Sequence, residues 1–155
     1  MSSFSHLDEA GAARMVDVAG KQVTLRTATA TGRVELSREC VALLRGHGVP
    51  KGDALAVARI AGIMGAKRTP DLVPLCHPIA LHGVTVDLVV DDNGVAVSAT
   101  ARTADRTGVE MEALTAVSVA CLTLVDMTKS VDPRGIIGGI RLETKTGGES
   151  GEWQR

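Results

Sequence analysis

Apolar residues fall on every side of a 3.6-residue helix from Ala113 to Val125, a stretch with no charge, no Gly and no Pro. A helix that is apolar all round is buried on most of its circumference, so this one is predicted to run through the core. Charges stand only at its ends, Glu110 and Glu112 at the entrance and Asp126 and Lys129 at the exit, where water is expected to be scarce. Elsewhere the period is two. Val23 to Leu36 is rich in Val and Thr and alternates, which predicts a strand with Arg26 and Arg33 off the core face. Val84 to Val90 and Val95 to Arg102 alternate on either side of Asp91-Asp92-Asn93-Gly94, which predicts a β-hairpin. Ser37 is a good N-cap for a short helix from Arg38 to Arg45, and Gly46 stops it. Asp53, after the turn Pro50-Lys51-Gly52, opens a second helix from Ala54 to Lys67, whose Ala58, Ala61, Gly62, Gly65 and Ala66 allow close backbone packing.

Pro70, Pro74 and Pro78 rule out a helix interior from Thr69 to Pro78 and predict an ordered loop. A last strand is predicted near Ile140 to Thr144. With the two early helices merged into one layer, the order is β-α-β-β-α-β. That order predicts an α+β, ferredoxin-like sandwich with an extra N-terminal helix, its antiparallel sheet carrying the helices on one face. The other face needs a cover, which oligomerisation would supply. Residues 1–14 read as a flexible arm, 15–146 as a single domain, and 147–155 as a Gly-rich tail, mobile unless bound.

Composition narrows the function classes. Seventeen basic and 18 acidic residues give a net charge of −1, which argues against broad electrostatic binding to nucleic acid or to an anionic membrane surface. One Phe, one Trp and no Tyr remove the usual base-stacking platforms. The three cysteines, Cys40, Cys76 and Cys121, have no CxxC spacing, and the N-terminus lacks a signal pattern, so a soluble cytoplasmic protein is expected. The apolar run is interrupted by Thr and Ser and is short for a bilayer span.

Asp126 and Lys129, three apart, share a helix face. They are either a surface ion pair at a helix end or, if desolvated, an oriented acid/base pair. Glu110 and Glu112 fit a helix N-terminus, and Thr107 with Glu110 fits a capping box. Cys76-His77 lies in a Pro-stiffened loop. No second pair stands at ligand spacing, so neither a metal nor another cofactor is expected. A Cys/His nucleophile is a minority alternative, since adjacent residues rarely aim at each other. Lys51, Lys67, Arg68 and Lys145 stand in turns, at helix ends or before the Gly-rich tail, positions that suit phosphate.

Lys51-Gly-Asp, Ala58-Arg-Ile-Ala-Gly-Ile with Ala66-Lys-Arg-Thr, Leu72-Val-Pro-Leu-Cys-His-Pro78, Gly108-Val-Glu-Met-Glu-Ala-Leu-Thr115 and Asp126-Met-Thr-Lys129 occur in this order. Together they resemble the MoaC family of molybdenum cofactor biosynthesis over almost the whole chain. The resemblance implies a lyase, cyclic pyranopterin monophosphate synthase, acting on a GTP-derived cyclic nucleotide and releasing diphosphate. It implies catalytic roles for Asp126, Lys129 and Lys51, and substrate binding by Leu75, Cys76, His77, Glu110, Met111 and Glu112. Lys67, Arg26 and Lys145 match the family's triphosphate contacts. A ferredoxin-like fold and a homohexamer of three dimers, with sites near subunit interfaces, are implied as well. One departure is visible: Glu149 stands where the family commonly places a Lys after the glycines, so Glu149 is left out of the site. A noncatalytic ligand-sensing module is the alternative from another class. It would bind the nucleotide and release no diphosphate.

Overall fold

The computed structural model describes residues 5–155, so the first four residues of the predicted arm lie outside the described residues. In chain order the elements are β1 (Thr24–Glu35), α1 (Arg38–Arg45), α2 (Ala54–Lys67), α3 (Thr69–Leu72), β2 (Gly83–Asp91), β3 (Gly94–Asp105), α4 (Glu110–Thr128), β4 (Ile136–Thr146) and β5 (Trp153–Gln154). The strands form one antiparallel sheet in the order β2-β3-β1-β4-β5, and the helices pack on one of its faces. This is the expected α+β ferredoxin-like arrangement.

Alternation sets the core. Ala28, Ala30 and Val34 on β1 and Val95, Val97, Ala99 and Ala101 on β3 are buried beneath α4, which contributes Ala113, Ala116, Val117, Ala120, Cys121 and Leu124. Such small side chains bring the layers close together. A methyl group on Gly62 would lie 2.9 Å from the Ala116 carbonyl oxygen, and one on Gly65 would lie 2.9 Å from Val119 Cβ, so glycine is what lets α2 lie against α4. By length and composition α4 is apolar enough to cross a membrane, but most of its apolar surface is spent on the sheet and α2. Ser37 and Asp53 cap as expected, accepting from the Cys40 and Ala56 amides at 3.2 and 3.0 Å.

Four expectations change. The loop after α2 contains the single turn α3, with Pro70 in its first turn, where no backbone donor is needed. Thr107 caps nothing: α4 starts after Val109, without a side-chain cap, and Glu110 is its first residue. The tail contributes β5, which pairs Gln154 with Thr144 and Trp153 with Lys145. The N-terminal segment makes a small hairpin, in which Leu7 bridges Ala13 and the Asp8 carboxylate accepts from the Ala10 and Ala12 amides at 2.9 and 2.8 Å.

Candidate active site

The antiparallel packing of α2 on α4 gathers functional side chains at both ends of α4. At its N-terminal end, Leu75, Cys76 and His77 from the Pro-rich loop meet Glu110, Met111 and Glu112 around a cleft of about 310 Å³. The family resemblance implies substrate binding for all six. Ser5, His6, Val16, Val18 and Lys21 complete the walls from the N-terminal strap, with Thr107 and Gly108 from the turn before α4. Those strap residues were missed because their segment has no periodicity to mark it. His77 ties strap to loop by donating from Nε2 to the Val16 carbonyl. A carbonyl oxygen only accepts, so Nε2 carries a proton in this contact. Arg106 adds a second tie, from Nε to the Lys21 carbonyl at 3.1 Å.

Glu112 is 3% exposed. Burial, reinforced by the nearby Glu110 charge, pushes its carboxyl up to about 7, so it holds a proton over part of the neutral range. Burial together with both carboxylates also raises the Cys76 thiol. A thiol kept protonated is a poor nucleophile, which counts against Cys/His hydrolysis. Glu110 leans away from the helix to pair with Lys145 at 3.2 Å. Arg26 is fixed at the same end of the sheet, donating from Nε to the Asp105 carbonyl at 3.1 Å and from Nη2 to the Arg106 carbonyl at 3.3 Å. Gly148, at φ 78°, lies directly against the Arg26 guanidinium, where a side chain would overlap it. Lys67 is exposed in the last turn of α2 and lines neither the cleft nor the cluster at the other end of α4.

At the C-terminal end of α4, Asp126 stands between two lysines. Lys129 Nζ is 2.9 Å and Lys51 Nζ 3.2 Å from the same oxygen, Asp126 Oδ1. Lys51 also donates to the Asp126 carbonyl at 2.9 Å. The turn at Gly52, φ 106°, and the Asp53 cap deliver Lys51 to this point. Hydrogen bonds from Lys129, then from Lys51, hold the Asp126 carboxyl below the usual carboxylate range. The expected desolvation is absent within one chain: Asp126 and Lys129 are each 57% exposed and Lys51 is 40% exposed. The reason is local: the last turn of α4 buries Leu124, Met127 and Thr128 on one side, and Asp126 and Lys129 stand on the other. Along the helix, Glu112 and Asp126 are fourteen residues, about 21 Å, apart.

Among the described residues no three His, Cys, Asp or Glu side chains converge as a metal ion would require. The arrangement therefore offers an enclosed acidic cleft with nearby cations at one end and a carboxylate-oriented lysine pair at the other.

The sequence profile of the MoaC family matches residues 15–148. The cyclic pyranopterin monophosphate synthase of Streptomyces coelicolor is 68% identical over 98% of this chain and 89% of its own length. That of Nocardioides sp. is 66% identical over 98% of this chain and 95% of its own length. That of Corynebacterium glutamicum is 56% identical over 99% of this chain and 98% of its own length. With the profile and these identities spanning both ends of α4, the chain belongs to the MoaC family.

Proposed function

We propose that the chain is a cyclic pyranopterin monophosphate synthase of molybdenum cofactor biosynthesis, a lyase. It converts (8S)-3′,8-cyclo-7,8-dihydroguanosine 5′-triphosphate to cyclic pyranopterin monophosphate with release of diphosphate. The observation that carries this is the pair Lys51 and Lys129 meeting on one oxygen of Asp126 in a chain that matches synthases along nearly its whole length. A ligand-sensing module has no use for two oriented ammonium groups.

The reaction needs proton transfers during ring opening and pterin formation. It also needs a substitution at the α-phosphorus, in which a substrate hydroxyl forms the new P–O bond, loses its proton, and diphosphate departs. Lys129, positioned by Asp126, is the general acid/base, and Lys51 is a second proton donor. Asp126 stays ionised because both lysines stabilise its charge. Glu110 and Glu112 accept hydrogen bonds from N–H groups of the guanine-derived portion, and His77 contributes to the same grip. Lys145, Arg26 and Lys67 offer positive charge to the triphosphate. Protein groups suffice for these steps, and no cofactor is assigned.

The active enzyme is proposed to be a homohexamer of three dimers in the cytoplasm, with the two ends of α4 in one site coming from different copies. Support comes from the 21 Å separation, too long for one substrate to bridge along the helix, and from the open face of Asp126. Exposed Val57, Ile60, Met64 and Leu122 on the outer side of the helix layer offer apolar surface for such contacts.

Turnover is the test. Lys129→Ala and Asp126→Ala proteins that remain folded are assayed for pterin formation and diphosphate release from the cyclic substrate. Both are expected to be nearly inactive, and near-normal turnover by either would remove the assignment.

A further inference from the structure

We infer that Gly108 is a positioning residue: its missing side chain lets the Glu110 carboxylate fold back over the turn before α4, pair with Lys145 and face the cleft at once. Side chains in a helix tilt toward its N-terminus, so the first helical residue covers the residues that precede it. Glu110 is that first residue, and Gly108 lies beneath its carboxylate. A Cβ at position 108 would overlap Glu110 Oε2 and lie 2.7 Å from Cδ and 2.8 Å from Oε1. No other atoms crowd it more closely.

The backbone does not require glycine here. Gly108 is absent from the residues with positive φ, unlike Gly147 and Gly148. Alanine would therefore fit the chain, and the atoms it strikes belong to the far end of a flexible side chain that can swing aside. The consequence falls on function rather than on folding. A displaced Glu110 loses Lys145, now 3.2 Å away, and leaves the cleft wall it shares with Glu112. Under the proposed reaction, on which the inference rests, Glu110 links the group that grips the guanine-derived portion to a cation that meets phosphate. Gly108 sets that link by having no side chain to displace the carboxylate.

A double-mutant cycle tests it, with kcat and KM measured for the wild type, Gly108→Ala, Glu110→Ala and the double variant. Gly108→Ala is expected to keep the wild-type melting temperature and to lose about ten- to a hundredfold in kcat/KM, mainly through KM. In the Glu110→Ala background the same change is expected to alter kcat/KM by less than about twofold, because no carboxylate remains to displace. Undiminished kcat/KM in Gly108→Ala, or an equal loss in both backgrounds, overturns the inference. A crystal structure of Gly108→Ala decides it without turnover: the Glu110–Lys145 separation is expected to exceed about 4 Å, and a retained pair refutes the role. A wild type that releases no diphosphate would instead defeat the proposed reaction, which keeps the two failures distinct.

Discussion

The two ends of α4 use the same chemical groups in opposite ways. At the N-terminal end a carboxyl is enclosed by the strap and the Pro-rich loop. Glu112 is pushed up to about 7 there, burial first and the Glu110 charge second. At the C-terminal end a carboxyl is open to solvent and flanked by ammonium groups, and Asp126 is pulled down by Lys129 and Lys51. Surroundings decide the protonation state, and the apolar rod between the ends keeps the two surroundings from mixing. Enclosure also differs: this chain walls its own cleft around Glu112 but leaves the lysine pair uncovered. The Glu112 end is thus walled within one copy, while the lysine pair at the other end lies open.

The largest effects are expected at the open end. Lys129→Ala and Lys51→Ala should each lower kcat by about 10²- to 10⁴-fold, read by steady-state diphosphate release. At the enclosed end, Glu110→Ala and Glu112→Ala should act chiefly on KM, by about tenfold or more, because binding groups are lost there rather than proton carriers. If both ends gave the same kcat-dominated loss, the division of labour would be wrong.

Stability separates the ends further. Glu112 in the folded chain binds its proton more tightly than the ordinary value of 4.5. Between pH 4.5 and about 7 the unfolded chain is ionised there while the folded one holds the proton. Stability from this group is therefore intact below pH 4.5 and lost as pH rises through that window. Glu112→Gln, which never ionises, should be more stable than the wild type at pH 8 by about 2–3 kcal/mol, and no more stable at pH 4. Denaturant melts at the two pH values measure this. The smallest effect belongs to Glu110→Gln, which removes a repelling charge and should lower the Glu112 titration midpoint by less than about one pH unit. Carbon-13 NMR of the Glu112 carboxyl reads it, and an upward shift would contradict the account of its environment.

Much of the fold was legible because periodicity reports burial directly. The alternation of β1 and β3 and the caps at Ser37 and Asp53 lie where local sequence places them. Local rules failed where distant contacts decide. Thr107 and Glu110 satisfy a capping box on spacing, but Lys145, from a strand beyond α4, takes the Glu110 carboxylate instead. Trp153 and Gln154 gain a strand only because β4 offers an open edge. For the site, resemblance named its residues, but spacing could not show that the strap from Ser5 to Lys21 walls the cleft, since an aperiodic segment takes its path from partners such as His77. Nor could it show that Asp126 lies half open, because apolar neighbours in sequence do not guarantee cover for the last turn of a helix.

The enclosed end of one copy and the open end of another are proposed to serve a single substrate. Subunit complementation reads this at substrate well below the wild-type KM, where Lys129→Ala and Glu112→Ala proteins are both expected to turn over slowly: the two are dissociated, mixed in equal amounts and reassembled. If each site draws its two ends from different subunits, about a quarter of the mixed sites hold both intact ends, and a corresponding share of wild-type turnover should return. Turnover that stays at the level of the separate variants, in a mixture shown to contain heteromers, would mean that each copy uses its own two ends and that no site is shared between subunits.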